Sequence, residues 1–378
     1  MSSPLPGFGV IIPAGGAGKR LWPISTAARP KFLLDLTGQG RSLLRQAWDR
    51  LEPLAGAGQV TVVTGEAHVP AVTAQLAGLR ADNLIAEPRP HDSMPAIALA
   101  AAIMRQRIGE VVLGSFAADH VIGDVAAFNK AVEAAYLTAK QGLIATIGIK
   151  PTEPSQAYGY IADGEPLGLD KAPRVKYAAA FKEKPDQATA EAYLKTGRYR
   201  WNAGMFVFRA SLLFELLHQW QPELAAGIDE LAAVWDTPKR AEALERIWPE
   251  LPSIAIDYAV AEPAAKAGLM ATVPGDFPWS DLGSYDSLRQ ATKDGSLRLV
   301  PGEPAILDGS AGSFVVSQTG QTVALLGVPD IVVAVSGDVV LVAGKDQAER
   351  IKDLASEAGR NTRSGLKHLS RTEISEAD

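Results

Sequence analysis

The sequence of 378 residues contains no cysteine. This absence excludes a disulfide, a thiolate nucleophile and a zinc site built on sulfur. Histidine is scarce as well, because the five histidines are scattered and show no spacing typical of a zinc site. No G-x-S-x-G motif occurs, which disfavours a hydrolase with a nucleophile elbow. Several common kinds of catalytic centre are therefore ruled out or disfavoured.

Long apolar runs and an excess of positive charge are also missing. No apolar run reaches 18 residues, and no charged N-terminal segment precedes a long apolar core, so we expect a cytoplasmic protein without a membrane partner. The formal net charge of −6 argues against nucleic acid as a partner. The 47% of hydrophobic and 21% of charged residues are typical of a globular protein. Its length favours one large and one small domain.

One stretch near the N-terminus combines glycines with positive charge. The apolar run Val10–Ile12 predicts a buried strand, and glycines follow it at positions 15, 16 and 18. Such glycines let the backbone turn sharply and let its N–H groups approach a ligand. All charged residues between Pro13 and Leu34 are positive, namely Lys19, Arg20, Arg29 and Lys31. This pattern predicts a site for a phosphate-bearing ligand.

Two common phosphate-binding motifs do not fit this glycine loop. A P-loop would need glycine where Pro13 stands, and a serine or threonine after Lys19. The Rossmann fingerprint would need glycine where Leu21 stands, which disfavours a nicotinamide dehydrogenase. A tight connection with solvated cations remains an alternative, although the uncompensated positive charge favours a ligand site.

Strand-like and helix-like segments alternate after the loop. Strands are predicted over residues 59–64, 83–86, 110–116 and 143–149, and helices over 41–54, up to about 78, 94–107 and 126–140. This alternation predicts an α/β fold with a doubly wound, mostly parallel sheet, whose ligands bind beyond the carboxyl ends of the strands. Asp119 follows one of these strands and would point into that crevice, although it could also cap the next helix.

The composition shifts at about residue 293. Short apolar runs over 313–316, 322–326, 331–335 and 339–343 alternate with turn residues and predict a small β-rich module. A closing amphipathic helix is predicted over Gln347–Ala358. We therefore predict one domain over residues 1–292 and a β-rich module with a polar tail over residues 293–378.

The glycine loop resembles the signature of sugar-1-phosphate nucleotidyltransferases. Residues 15–25 match the pattern G-G-x-G-x-R-L-x-P-x-S, and residues 30–34 read P-K-F-L-L. Further motifs in the same order extend the resemblance over roughly residues 8–290. It implies the nucleotide-diphospho-sugar transferase fold and a catalytic domain over residues 1–292. For the C-terminal module it implies a left-handed β-helix-like form and a role in homo-oligomer contacts, as a dimer.

The resemblance assigns nucleotide-binding roles. Arg20 and Lys31 are expected to grip the nucleotide triphosphate as catalytic residues. The segment Glu87–Ala100 resembles the loop that contacts the base. In this sequence His91-Asp92-Ser93 replaces the commoner R-N-T, so the resemblance does not determine which base is bound. An N-cap for the following helix is compatible with the same residues. The expected nucleotide-binding residues are Ala14, Gly15, Gly16, Gly18, Glu87, Asp92 and Ser93.

Other motifs concern the sugar phosphate and a metal ion. Residues 157–161, 181–185 and 201–206 are similar to the family's sugar-phosphate segments, which implies binding by Gly159, Glu183, Lys184 and Asn202. The resemblance also implies that Asp119 and Asp281 hold Mg²⁺. Residues 253–260 resemble another family segment, for which we expect a packing role.

The implied reaction is transfer of GMP from GTP to mannose 1-phosphate, which gives GDP-mannose and pyrophosphate. Two alternatives stay open at this point. One is a thymidylyl- or uridylyltransferase of the same fold. The other is a non-catalytic regulatory protein that binds a nucleotide sugar.

Overall fold

The computed structural model describes residues 4–16, 18–56, 58–292, 296–299 and 305–357. The chain divides into two compact units. The first unit comprises Met1–Gly15 and Leu44–Asp281, and the second comprises Gly16–Leu43 and Leu282–Asp378. The division thus groups residues 16–43 with the C-terminal residues, while the domain boundary at residue 293 stays a prediction.

The first unit is built on a large β-sheet. Its strands are β1 Phe8–Ala14, β2 Val60–Gly65, β3 Leu84–Glu87, β4 Val112–Ser115, β5 Val121–Ile122, β6 Ile144–Ile149, β7 Tyr160–Pro166, β8 Lys176–Lys182, β9 Tyr199–Arg209, β10 Met270–Gly275 and β11 Trp279–Ser280. The described part of the sheet has nine strands in the order β3-β2-β1-β4-β9-β6-β10-β8-β7, and β5 pairs separately with β11.

Helices follow most of these strands. They are α1 Leu43–Ala55, α2 Val69–Gln75, α3 Ser93–Ile108, α4 Val125–Ala139, α5 Gln187–Thr196, α6 Ala210–Trp220, α7 Pro222–Val234, α8 Arg240–Ile247 and α9 Glu262–Lys266. A π-helix spans Asp257–Ala261, and 3-10 helices span Glu66–His68, Ala81–Asn83 and Trp248–Glu250. Helix α3 is buried from Met94 to Met104, because it contacts strands β1 and β2 as well as helices α6 and α7.

The strand directions confirm the predicted α/β class with a mostly parallel sheet. Strand β1 runs parallel to β2 and β4, β2 to β3, and β6 to β10. Only β8 and β9 run against the other strands of the described sheet. The sequence analysis did not predict these two reversed strands, on which one sugar-phosphate motif lies and a second begins.

The second unit contains the predicted β-rich module. Its elements are α10 Tyr285–Ala291, β12 Ser296–Arg298, β13 Ile306–Asp308, β14 Phe314–Ser317, β15 Ala324–Leu326, β16 Ile331–Ser336 and β17 Val339–Gly344. Strands β12, β14 and β16 stack in parallel, β13 stacks on β15, and β17 closes the first stack antiparallel to β16. Short 3-10 helices span Lys19–Leu21, Lys31–Leu33 and Lys345–Arg350.

The coils of this module repeat at a regular spacing. The hydroxyl of Ser310 accepts from the N–H of Val328, and that of Ser313 from the N–H of Ile331, each across 18 residues. The predicted closing helix begins as the 3-10 helix at Lys345 and continues as α-helix over 351–357. Its predicted last residue, Ala358, and the polar tail lie outside the described residues. Nowhere in the described ranges is a helix long and apolar enough to cross a membrane.

Candidate functional site

The predicted site residues are divided between the two units. Gly16, Gly18, Arg20 and Lys31 belong to the second unit, and all the others belong to the first. We describe the two groups separately.

The glycine loop starts at the carboxyl end of β1, in the first unit. The carbonyl of Ala14 accepts from Thr64 Oγ1 at 2.8 Å, and that of Pro13 accepts from the N–H of Ala118 at 3.1 Å. A Cβ added to Gly15 would meet none of the described atoms within 4 Å. The strand end is therefore fixed, while the backbone at Gly15 is open to a ligand.

In the second unit, the loop packs closely against Lys31. Gly16 and Gly18 have φ angles of 84° and 55°, the left-handed region that favours glycine. A Cβ on Gly18 would lie 2.7 Å from Ser25 Oγ and 3.3 Å from the stem of Lys31. Arg20 lies on the 3-10 helix that begins directly after Gly18. Because Gly18 has no side chain, the loop can pack against Lys31, and Arg20 follows Gly18 by two residues on this 3-10 helix.

Buried hydrogen bonds hold the chain between Arg20 and Lys31. The hydroxyl of Tyr285 donates to the carbonyls of Leu21 and Trp22 at 2.9 and 3.0 Å. Burial raises the pKa of Tyr285 far above its usual range, so it remains a neutral donor. Gln318 Nε2 donates to the carbonyl of Ile24 at 3.1 Å. Residues of the second unit therefore position the segment that carries both predicted catalytic cations.

Strand pairing in the first unit brings together the segments that carry the two predicted metal ligands. In the antiparallel pair β5–β11, Ser280 lies opposite Val121. The next residue, Asp281, therefore lies at the level of His120, beside Asp119. Both aspartates are half-buried. No group of three or more histidine, cysteine, aspartate or glutamate side chains suited to hold a metal occurs among the residues that the structure describes.

A cluster of aromatic side chains includes the tyrosine that contacts Asp281. The hydroxyl of Tyr158 donates to Asp281 Oδ1 at 3.0 Å. The ring of Trp279 packs edge-on against His120 and Tyr158, with centroid distances of 5.4 and 5.2 Å. Tyr158 also packs on Trp201 at 5.0 Å. The position of the Asp281 carboxylate is thereby restricted by both packing and a hydrogen bond.

The turn that carries Asp119 is held by a residue that the sequence analysis missed. Arg50 of α1 is only 7% exposed and donates from Nη2 to the carbonyl of His120 at 3.0 Å. Burial lowers the pKa of Arg50 to about 10, and the nearby charge of Asp119 partly opposes this shift. A single arginine in an amphipathic helix carries no local signal of such a role.

The predicted base-contacting segment begins at the end of β3. Burial raises the pKa of the half-buried Glu87 to about 7. The predicted N-cap is confirmed, since Asp92 Oδ1 accepts from the N–H of Ser93 at 2.8 Å. Ser93 Oγ in turn accepts from the N–H of Ile256 at 2.9 Å. His91 is buried against Trp248, with ring centroids 5.5 Å apart. The role of this segment in base recognition stays a prediction.

The four predicted sugar-phosphate residues lie together in the first unit. Lys184 Nζ lies 2.8 Å from Glu183 Oε1, and the N–H of Asn202 donates to the carbonyl of Gly159 at 2.8 Å. A Cβ added to Gly159 would collide with Glu183 Oε2, and it would lie 3.3 Å from Asn202 Cβ. We call these four residues, together with Asp257, the sugar cluster.

Asp257 is the residue of this cluster that the sequence analysis did not assign. Asn202 Nδ2 donates to Asp257 Oδ1 at 2.5 Å, while Asn202 Oδ1 accepts from Thr146 Oγ1 and from the N–H of Gly204 at 3.3 and 3.1 Å. The buried Val260 fits the packing role that we expect for residues 253–260. Asp257 of the same segment in addition takes part in this hydrogen-bond network. A charged residue in the middle of a mostly apolar segment was the available signal.

The charges of the sugar cluster influence one another strongly. Burial, and next the charge of Glu183, raises the pKa of Asp257 to about 6. Burial by itself would lower the pKa of Lys184. The hydrogen bond and charge of Glu183, together with the charges of Asp257 and Tyr258, outweigh burial and raise it. Lys184 is thus a cation between two acids, an arrangement that offers a positive charge to phosphate and acceptors to hydroxyl groups.

Comparison with known families identifies the class of protein. Residues 9–296 match the family model described as nucleotidyl transferase. Residues 305–357 match a model described as a mannose-phosphate isomerase/GMP-like beta-helix domain. The chain belongs to the nucleotidyl transferase family, as the sequence analysis predicted, and its C-terminal module is of the β-helix type. Members of this family generally use a divalent metal ion.

Individual relatives indicate which members of this family the chain resembles. The chain is 38% identical over 371 residues to the xanthan biosynthesis protein XanB of Xanthomonas campestris pv. campestris, which covers 96% of this chain and 75% of that protein. It is 34% identical over 365 residues to a mannose-1-phosphate guanylyltransferase of Salmonella muenchen, with coverages of 95% and 75%. A solved structure from Thermus thermophilus, described as a mannose-1-phosphate geranyltransferase, is 31% identical with a TM-score of 0.81 and covers 93% of this chain and 99% of its own.

Proposed function

We propose that this protein transfers GMP from GTP to mannose 1-phosphate and releases pyrophosphate, so that GDP-mannose is formed. The observation that carries the proposal is the similarity, over more than nine-tenths of the chain, to proteins named mannose-1-phosphate guanylyltransferase. That similarity includes both the nucleotidyl transferase region and the β-helix region.

In this reaction two anionic substrates, the sugar phosphate and GTP, must approach each other closely. An oxygen of the sugar phosphate attacks the α-phosphorus of GTP, a new P–O bond forms, and the bond to the β-phosphate oxygen breaks as pyrophosphate leaves. A phosphate monoester is already largely dianionic at neutral pH, because its second pKa is about 6, so no side-chain base is needed. The residues must instead offset repulsion between the reactants and the charge that grows on pyrophosphate.

Arg20 and Lys31 are proposed to offset this charge on the triphosphate. The guanidinium of Arg20 offers a planar fork for phosphate oxygens, and the ammonium of Lys31 offers a compact charge. The N–H groups of the glycine loop at Ala14, Gly15, Gly16 and Gly18 would contact phosphate oxygens without steric hindrance. Glu87, Asp92 and Ser93 are proposed to contact the base. The close packing of Gly18 on Lys31 supports this assignment, because it fixes the lysine stem against the loop.

Asp119 and Asp281 are proposed to hold Mg²⁺. The donor set fits, since two half-buried carboxylates offer the hard oxygen ligands that Mg²⁺ prefers and leave positions for water and phosphate oxygens. When bound, the ion supplies Lewis-acid stabilisation of phosphate charge. Tyr158 would orient Asp281, and Arg50 would hold the turn of Asp119. Lys184 is proposed to bind the phosphate of the sugar phosphate, and Gly159, Glu183 and Asn202 to line the sugar.

A substrate matrix tests the proposal. The purified protein is incubated with Mg²⁺, each of GTP, ATP, UTP and dTTP, and each of mannose 1-phosphate and glucose 1-phosphate, and pyrophosphate release is measured. We expect the highest kcat/KM with GTP and mannose 1-phosphate. A preference for UTP or dTTP with glucose 1-phosphate would contradict both the proposed specificity for guanine and the proposed specificity for mannose. Tight binding of GDP-mannose without turnover of any pair would instead indicate a regulatory protein.

We further infer that residues 1–292 form the catalytic domain and that residues 293–378 mediate homodimer formation. Large apolar side chains are exposed on the β-rich module, with Leu326 at 78%, Val340 at 62% and Val342 at 61%. Both valines lie on β17, which ends the described stack of strands. Light scattering after gel filtration should give twice the mass of the chain, and Val340→Lys with Val342→Lys should shift it to the monomer. A monomeric wild type would refute the dimer.

A further inference from the structure

The unassigned acid of the sugar cluster has the chemistry of a ligand-binding residue. We propose that Asp257 binds the sugar directly, and that its carboxylate and that of Glu183 accept hydrogen bonds from neighbouring hydroxyl groups of the sugar phosphate. This inference rests on the proposed function, because it assumes that a sugar phosphate occupies the cluster.

Each carboxylate interacts with one side chain of the protein and can accept further hydrogen bonds. Asp257 Oδ1 accepts from Asn202 Nδ2 at 2.5 Å, and no other side chain that the structure describes donates to this carboxylate. Glu183 Oε1 pairs with Lys184 Nζ at 2.8 Å. Glu183 Oε2 is buried and has no partner among the described residues. The protein thus supplies one side-chain partner to each acid and leaves room for a donor from a ligand.

The unpartnered oxygen of Glu183 is costly unless a ligand donates to it. The Glu183 side chain is only 8% exposed, so water replaces the missing partner poorly. An unsatisfied buried acceptor costs about 1–3 kcal/mol, and more when it is charged. Without a ligand, the cluster contains this unsatisfied acceptor and also the repulsion between Glu183 and Asp257. This repulsion contributes to the raised pKa of Asp257. Hydroxyl donors from a sugar would relieve both costs.

The charges also indicate which part of the ligand these acids contact. Two carboxylates repel a phosphate group, so the phosphate belongs at Lys184, the cation of the cluster. Hydroxyl groups are neutral donors, and two neighbouring hydroxyls on a pyranose ring match two neighbouring acceptors. The space beside Glu183 Oε2 exists because residue 159 is a glycine. A Cβ at this position would collide with the oxygen. The vicinal hydroxyls of a hexose 1-phosphate are therefore the expected partners.

A purely structural role explains Asp257 less well. The amide of Asn202 needs only an acceptor, which a neutral asparagine would also provide. A carboxylate in this place adds repulsion with Glu183, which the charge of Lys184 and the hydrogen bond from Asn202 offset only in part. Donors from a bound sugar would offset the rest. Asp257→Asn is therefore the informative variant, because it keeps the shape and an acceptor for Asn202 but removes the charge.

The test is a comparison of Asp257→Asn with the wild type on mannose 1-phosphate and on its singly deoxygenated analogues, with GTP and Mg²⁺. With mannose 1-phosphate we expect KM for the sugar phosphate to rise about ten- to a hundredfold, as for loss of a hydrogen bond to a charged group, while KM for GTP changes less than about twofold. The effect should shrink to below about threefold for the analogue that lacks the hydroxyl bound by Asp257, and persist for the others. A structural defect would not depend on which hydroxyl is missing.

Asp163→Asn is the matched control. Asp163 is a half-buried acid on β7 that pairs with Arg200 and Lys176 at 3.2 and 3.3 Å, outside the sugar cluster. Its loss should lower the melting temperature without a selective rise in KM for the sugar phosphate. Should Asp257→Asn fail to fold, Asp257→Glu, which keeps the charge but moves it by one methylene, is measured in the same comparison.

The outcomes separate this inference from the proposed function. Equal effects on both substrates, the same effect with every analogue, or no effect would overturn the role of Asp257. Failure of the wild type to use mannose 1-phosphate would instead overturn the proposed function. The variant comparison is then made on deoxygenated analogues of the sugar phosphate that the wild type does use.

Discussion

The sugar cluster and the carboxylate pair Asp119–Asp281 are built on different principles, although both belong to the first unit. In the sugar cluster, side chains hydrogen-bond to one another, from Thr146 through Asn202 to Asp257, and Glu183 is nearly fully buried. The carboxylate pair is half-buried and is positioned by strand register and aromatic rings. The first arrangement suits a ligand of fixed shape. The second would leave coordination positions for water around a bound divalent ion.

The largest expected effect comes from the carboxylate pair. Asp281→Asn keeps the size of the side chain but removes the charge, so turnover should fall about 10²–10³-fold, or about 3–4 kcal/mol, while the fold remains intact. Steady-state pyrophosphate release over a range of Mg²⁺ concentrations measures this. Asp286→Asn is the control, because Asp286 is an acid of similar exposure that pairs with Arg289. Near-normal turnover of Asp281→Asn at low Mg²⁺ would remove this residue from the mechanism.

The sugar cluster should also respond to added volume. Gly159→Ala forces a Cβ against Glu183 Oε2 and to within 3.2 Å of the Phe181 ring. Overpacking of this kind costs about 1–3 kcal/mol, so we expect KM for the sugar phosphate to rise about tenfold or more and the free energy of unfolding to decrease. Gly320→Ala is the control, because a Cβ at Gly320 meets no described atom within 4 Å. If the two variants show the same KM, the cluster is less tightly arranged than we infer.

A smaller effect is expected where an aromatic hydroxyl supports the carboxylate pair. Tyr158→Phe preserves the packing on Trp201 and Trp279 but removes the donor to Asp281 Oδ1. Loss of such a support typically costs about 10–100-fold in metal affinity, so we expect about a tenfold higher Mg²⁺ concentration for half-maximal activity with little change in KM for the sugar phosphate. Tyr193→Phe, in a tyrosine stacked on Tyr199, serves for comparison. An unchanged Mg²⁺ requirement would count against the role of Tyr158.

The smallest effect concerns the pH dependence of stability. The pKa of Asp257 is about 6 in the folded protein, against an ordinary value of 3.8. The folded state therefore binds a proton that the unfolded state does not, and the resulting stabilisation is fully present below pH 3.8 and lost as the pH rises through about 6. Relative to Asp257→Asn, the wild type should gain about 1 kcal/mol in the free energy of unfolding between about pH 7 and pH 5, measured by urea titration. An opposite slope would mean that Asp257 is ionised more readily than its burial implies.

Much of the architecture could be predicted from local patterns. The strands β2, β3, β4 and β6 and the helices α1, α3 and α4 all fall within a few residues of their predicted positions. These elements are regular in composition, with β-branched runs for strands and alanine-rich or amphipathic runs for helices. The reversed strands β8 and β9 were not predicted. Apart from the pairing of β8 with the nearby β7, their partners β4, β6 and β10 lie far away in the chain, and such long-range pairing leaves no local signal.

The site was predicted in part. Motif resemblance identified Glu183, Lys184 and Asn202, and the structure brings these residues together. It could not identify Asp257 and Arg50, whose contacts span 55 and 70 residues of sequence. The side chain of His91 was considered only as part of the base-contacting loop, and in the structure it packs against Trp248. The assigned roles themselves remain predictions for the experiments above.

The amino-acid sequence by itself determined the family, the alternation of strands and helices, and the chemical types available: no thiol, a glycine loop rich in cations, and well-separated acids. These properties are local, because motif spacing and hydrophobic period can be read within short windows. Only the tertiary structure decided which acids become neighbours and which are shielded from water. The antiparallel register of β5 and β11 brings together the segments that carry Asp281 and Asp119, and burial next to Glu183 raises the pKa of Asp257. Proximity and desolvation depend on the whole fold, and for that reason no short stretch of sequence specifies them.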